Sequence, residues 1–143
     1  MRLDLSFWDI ITMPKFNLQE FKGERGLLQA LELGFEIPFE VRRIFTISQV
    51  PIEQVRGEHA HKACHQYLWL VEGSLHVEIL SSNGSEHLLL NSENRGRHLP
   101  PLHWCRLSNF SIGTVLVVLA SEQYSKSDYI SSLQEFAELV KSA

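Results

Sequence analysis

Apolar and polar positions alternate along most of this chain in short runs bounded by turn residues. "GLLQALEL" (residues 26–33) follows the turn signal Lys22-Gly23-Glu24-Arg25-Gly26, and "VRRIFTI" (41–47) starts after Ile37-Pro38-Phe39. "HQYLWLVEGSLHVEILSSNGSEHLLL" reads as a strand, a kink at Gly73, a strand, a turn at Asn83-Gly84 and a third strand. Asn-Gly between alternating apolar runs is the strongest short-range hairpin signal. "GRHLPPLHWCRLS" and "TVLVVLAS" add two strands around Pro100-Pro101. So many short strands predict an all-β sandwich, jelly roll or barrel. The period changes in the tail. Tyr129, Ile130, Leu133, Phe136, Ala137 and Val140 recur at helical spacing, which predicts an amphipathic helix over 127–141, capped by Ser127 and packed on the barrel.

Composition narrows the class. A chain of 143 residues, 44% hydrophobic and 21% charged, fits one soluble globular domain spanning 1–143. The net charge of −4 argues against a general nucleic-acid binder, although local basic groups can still hold a phosphate. No run approaches the roughly 20 apolar residues that span a bilayer. The start, "MRLDLSFWDIITMPKF", carries Asp4 and Asp9 and has no small-residue cleavage site. Two cysteines, Cys64 and Cys105, are too few for a disulfide framework. A cytoplasmic location is expected.

The chemistry concentrates in "RGEHAHKACHQ" (56–66), which packs three histidines and a cysteine into eleven residues. On an extended strand His59 and His61 share a face, with Ala60 opposite. Three readings stay open. A metal centre is one, because imidazoles with the thiolate of Cys105 suit zinc, although the run lacks the usual carboxylate. A polar strand without chemistry is another. The third is an acid–base pair: histidine titrates near neutrality, and burial beside a like-charged neighbour lowers the pKa of one member. Paired titratable groups inside a barrel are costly to bury without use, which favours a functional reading.

The pattern resembles the cupins, small β-barrels whose first motif runs Gly, His-x-His, Glu, Gly. Here His59 and His61 keep the histidine positions, Gln66 stands where Glu is usual, and Gly73 closes the motif. In the second motif Cys105 follows "LPPLHW" where a histidine ligand is usual. More closely, "RGEHAHKACHQYLWLVEGSLHVEIL", "LNSENRGRHLPPLHW" and "VLVVLASEQYSKSDYI" resemble the sugar 3,4-ketoisomerases, as do "GERGLLQALE" and "IPFEVRRIFTI" upstream. The resemblance covers about residues 23–136. It implies a cupin jelly-roll β-barrel with a C-terminal α-helix, a homodimer with exchanged strands, and a reaction without metal or other cofactor. The implied substrate is dTDP-4-oxo-6-deoxy-D-glucose, whose carbonyl moves from C4 to C3 through an enediol, in deoxyamino-sugar biosynthesis.

On that reading His59 and His61 are the acid–base pair, and Arg43, Arg56, Gln66, His98 and Trp104 bind substrate. Arg43 shares a strand face with Phe45, and Arg56 precedes the histidine strand, so both suit the diphosphate. Trp104 stacks on the base or walls the site, and only one of His103 and Trp104 faces the pocket. His65, His76 and His87 read as surface or strand-edge residues. The chain departs from the family in two places. Phe45-Thr46 replaces two tyrosines, and "GRHLPP" replaces "GLYIPP", with His98 expected to supply a polar group for the missing hydroxyl.

Overall fold

A computed structural model describes residues 18–34 and 37–142. The "MRLDLSFWDIITMPKF" stretch lies outside them. The first element is a hairpin of β1 (Gln19–Gly23) and β2 (Gly26–Ala30). The nine described strands that follow form two antiparallel sheets. One has four strands in the order β3 (Arg43–Ser48), β10 (Val115–Ala120), β5 (Gln66–Glu72), β8 (Gly96–Leu99). The other has five, in the order β11 (Tyr129–Ile130), β4 (Arg56–His61), β9 (Trp104–Ser108), β6 (Leu75–Ser81), β7 (Gly84–Leu90). The chain closes on the helix α1 (Leu133–Ser142). This is the all-β, cupin-like architecture with a C-terminal helix that the sequence predicts.

The sheets face each other across one apolar interior. Leu68, Leu70, Leu116 and Val118 come from the four-stranded sheet, and Leu75, Val77, Ile79 and Leu107 from the five-stranded one. Alternation explains the selection. In β3 Arg43, Phe45 and Ile47 are half-buried, while Ile44, Thr46 and Ser48 are exposed. A second cluster lies on the outer face of the five-stranded sheet, where Ala60, Trp104 and Ile130 pack under Phe136 of α1. The outer face of the four-stranded sheet carries a third, built on Ile37, Tyr67 and Leu119.

Three expectations shift. Strand β2 stops at Ala30, and β1 forms where no strand was expected. The β6–β7 turn is Ser82-Asn83, with Gly84 pairing with Ser81 as the first residue of β7. The helix begins at Leu133, six residues later than its period suggested. Lys126–Asp128 is a single 3-10 turn and Tyr129–Ile130 is a strand. Pairing of Tyr129 with His61 and Ile130 with Ala60 outweighs the helical spacing. Ser132, not Ser127, caps the helix: its Oγ accepts from the Glu135 backbone N–H at 3.3 Å.

The kink at Gly73 has a steric cause. Its φ is +89°, and an added Cβ would sit 2.7 Å from the Thr114 Cα and overlap the Thr114 side chain. Substituting Gly73→Ala is expected to destabilise the fold by at least about 1–3 kcal/mol, the typical cost of one strained backbone position. Urea denaturation at constant m-value checks this; an unchanged midpoint contradicts it.

Candidate active site

Strand β4 aims the site through a bulge. Gly57 has φ +82°, and a Cβ there would lie 2.7 Å from the Cys105 carbonyl oxygen. Glu58 is also left-handed, at φ 60°. The register slips at this point, with Arg56 opposite Leu107, Gly57 opposite Arg106 and His59 opposite Cys105. Leu107 and Cys105 are buried inward-facing residues. Arg56 and His59 therefore share the inner side, although residues three apart on a regular strand point to opposite faces.

The result is a chamber of about 400 Å³ between the sheets, walled by Phe45, Ile47, Arg56, His59, Gln66 and Tyr129 among others. That volume is near the low end for small-molecule sites, which run from about 300 to 1,000 Å³. His61 stands behind His59, with ring centroids 5.1 Å apart and planes at 86°. The Tyr129 ring touches both, 4.9 Å from His59 and 4.4 Å from His61.

Asp128 fixes His61. Its carboxylate accepts from His61 Nδ1 at 2.9 Å, from the Ala63 N–H at 2.8 Å and from the Cys64 N–H at 3.3 Å. Burial pushes the Asp128 carboxyl up, but these bonds outweigh it and hold the group below its ordinary value. An ionised acceptor at Nδ1 leaves the neutral imidazole protonated there. The other nitrogen, Nε2, is buried with no hydrogen-bond partner among the described residues. Burial lowers both histidines below 6.5. The Arg56 charge adds to this at His59, and the Asp128 bond partly offsets it at His61. Both imidazoles are therefore neutral at pH 7 and able to accept a proton.

The remaining expected residues divide. Gln66 is buried in the chamber wall. Arg43 is on the inward face beside Phe45, its guanidinium 5.2 Å from the Phe45 ring centroid and 5.7 Å from that of Tyr124. Arg43 Nε is buried without a partner among the described residues. Cys105 also lines the chamber, but burial pushes its thiol up to about 12. Such a thiol and a neutral Gln66 amide leave only the two imidazoles as good ligands at the cupin positions, which therefore do not fit a metal.

Two expectations fail on strand parity. Trp104 neighbours the inward Cys105, so it points outward, and its ring lies 5.8 Å from that of Phe136 under α1. His98 pairs with Tyr67 on the outer face of the four-stranded sheet, away from the chamber. There its Nε2 lies 3.0 Å from His65 Nδ1, in rings stacked at 7° beside Phe39. His65 is thus a partner of His98 rather than a plain surface residue.

The helical period over 127–141 hides the roles of Asp128 and Tyr129. The signal was present, since both fall inside "LASEQYSKSDYI".

Burial first, then the neighbouring His65, His103 and Arg97, lowers His98 to about 4. The unfolded chain binds that proton near 6.5, so this contribution to stability is complete above pH 6.5 and is lost as pH falls toward 4. His98→Phe is expected to flatten the fall in stability over that window by up to one proton, about 1.4 kcal/mol per pH unit. Activity at pH 7.5 should stay within about threefold, since the ring is outside the chamber. An unchanged slope in pH-dependent urea melts argues against the pairing.

A family model described as WxcM-like, C-terminal (FdtA) matches residues 9–141. A TDP-4-oxo-6-deoxy-alpha-D-glucose-3,4-oxoisomerase of Aneurinibacillus thermoaerophilus is 33% identical over 124 residues, 87% of this chain and 89% of that protein. A 3,4-ketoisomerase of Helicobacter canadensis superposes with a TM-score of 0.81 at 36% identity, covering 88% of this chain and 95% of that one. QdtA, a sugar 3,4-ketoisomerase of Thermoanaerobacterium thermosaccharolyticum solved with TDP, gives a TM-score of 0.82 at 31% identity, with 87% and 91% covered. With the family model spanning most of its length and the barrel and histidine strand in place, this chain belongs to the FdtA, WxcM-like family.

Proposed function

We propose that this chain is a TDP-sugar 3,4-ketoisomerase that moves the carbonyl of TDP-4-keto-6-deoxyglucose from C4 to C3. The activity rests on the relatives, one named a TDP-4-oxo-6-deoxy-alpha-D-glucose-3,4-oxoisomerase and two named 3,4-ketoisomerases. The observation that carries the mechanism is the pair of neutral imidazoles, one on the chamber wall and the other held by Asp128 in a single tautomer.

In this reading the neutral imidazole of His59 takes the C3 proton, whose acidity comes from the adjacent ketone. The electron pair moves into a C3–C4 double bond and the C4 oxygen gains a proton, giving the enediol. The C3 hydroxyl then loses its proton as C4 gains one, and the carbonyl stands at C3. His61 serves as the second acid–base group through Nε2, with Asp128 fixing its ring and stabilising its charged form. Tyr129 brings a phenol against both rings, which offsets the loss of tyrosines at Phe45-Thr46. Gln66 bonds a sugar oxygen. Arg56 at the wall suits the diphosphate, and the unpartnered Arg43 Nε favours an acceptor on the ligand.

A homodimer accords with the hairpin, where Phe21, Leu27 and Leu28 expose apolar surface at 62%, 41% and 57%. A two-stranded hairpin is marginal alone and gains from cover. Among the described residues no helix is long and apolar enough to cross a membrane. Two free thiols and a nucleotide-sugar substrate favour the cytoplasm and a single domain working without a membrane or nucleic-acid partner.

Incubation with TDP-4-keto-6-deoxyglucose in deuterated water, followed by NMR, is expected to show deuterium entering the ring with carbonyl migration. His59→Asn and His61→Asn, folded by circular dichroism, should each lose about 10²–10⁴-fold in kcat/KM. Wild-type rates in both variants would sink the assignment; binding without isotope entry would mark a non-catalytic binder. Because both imidazoles are lowered, kcat/KM should hold through neutrality and fall on acidification with an apparent pKa below 6.5. A fall centred above 6.5 contradicts a neutral base of this kind.

A further inference from the structure

Outside the chamber, on the far side of His61, three metal-binding side chains converge. His61, Cys64 and Asp128 each offer a ligand atom, and these atoms lie within 4.8 Å of one another. They come from the end of β4, the turn that follows it and the 3-10 turn before β11, drawn together by the bonds of the Asp128 carboxylate to the Ala63 and Cys64 N–H groups. His61 Nδ1 and Asp128 Oδ2 are already 2.9 Å apart. The thiol is the outlying group, donating to the His65 carbonyl at 3.3 Å. That weak bond is the one the sulfur gives up on binding an ion. Lys62, Ala63 and Asp128 border a surface cleft of about 730 Å³, so Asp128 is the ligand of the three that faces solvent.

We propose that His61, Cys64 and Asp128 form a site for a single thiophilic divalent cation, Zn²⁺ or Cd²⁺, separate from the cupin ligand positions, and that occupation blocks the catalytic pair. The inhibitory half rests on the function proposed above; the binding half does not. One imidazole, one thiolate and one carboxylate with an open position are a ligand set that zinc accepts, at about 2.0–2.3 Å per bond. Harder ions are disfavoured by the sulfur. Binding releases the Cys64 thiol proton to solvent and forms bonds to Sγ, Nδ1 and a carboxylate oxygen. The proton on Nδ1 is displaced and the neutral ring carries its proton at Nε2 instead. His61 then has no free nitrogen with which to accept a proton, and Asp128 no longer supports it. No electron changes hands, and a chelator reverses the event.

Cd²⁺ titration of the purified full chain tests this, because thiolate-to-cadmium charge transfer absorbs in the ultraviolet and needs no turnover. The expected result is a band saturating at one ion per chain, absent in Cys64→Ala and kept in Cys105→Ser. In parallel, ketoisomerase activity should fall with the same midpoint and return with chelator. Cys64→Ala, with wild-type circular dichroism and basal activity, should need at least tenfold more Cd²⁺ for the same loss. Should Cys64→Ala fold poorly, Cys64→Ser keeps the side chain's size and should likewise lose the band. A band or inhibition that survives removal of Cys64, or follows Cys105, overturns the proposal. A chain that binds one ion at Cys64 but never isomerises the sugar leaves the site standing and removes the function instead.

Discussion

Two apolar sheet faces pressed together set the terms for everything polar in this molecule. Burial of Leu68, Leu70, Val77, Leu107, Leu116 and Val118 against one another stabilises the barrel, and it also dries the space at its end. A polar side chain entering that space must find a partner or carry no charge. His59, His61, Gln66 and the Cys105 thiol all meet this condition by being neutral. Of the charged groups, Asp128 behind His61 is matched by three donors and Arg56 is exposed at the wall, while Arg43 lies against the Phe45 and Tyr124 rings. The burial that stabilises the fold thus keeps two imidazoles in the state that proton abstraction requires.

The sequence shows most of the scaffold, because alternation reports which strand face is buried when one face is wet. It works for β3, where half-buried and exposed residues interleave. It fails for β9, where Trp104 and Cys105 are both buried, one under the helix and one in the chamber. With both faces dry, the parity of Trp104 is invisible to pattern reading. His98 is similar: the outer face of its sheet is covered around Tyr67 and Phe39, so a half-buried histidine there looks like an inward one.

At the tail, local and long-range preferences conflict. Tyr129 and Ile130 fit a helical period with Leu133 and Phe136, yet they pair with His61 and Ala60. Ser132 with Glu135 three residues on is a capping signature that marks the true helix start. The histidine strand was legible as chemistry, with His59 and Gln66 brought to one chamber and Arg56 swung to join them by the Gly57 bulge. The aspartate was not, since no local rule ties residue 128 to residue 61; only the fold brings them together.

Strand β3 is both a chamber wall, through Phe45 and Ile47, and the outermost strand of its sheet among the described residues. Its far edge presents backbone groups that another chain can engage. If a second copy covers that edge, ligand affinity and self-association become linked equilibria. Dilution then weakens the hold on the sugar, and the sugar opposes dissociation by the same free energy. In such a dimer the wall's position would tie occupancy of the pocket to the amount of protein present.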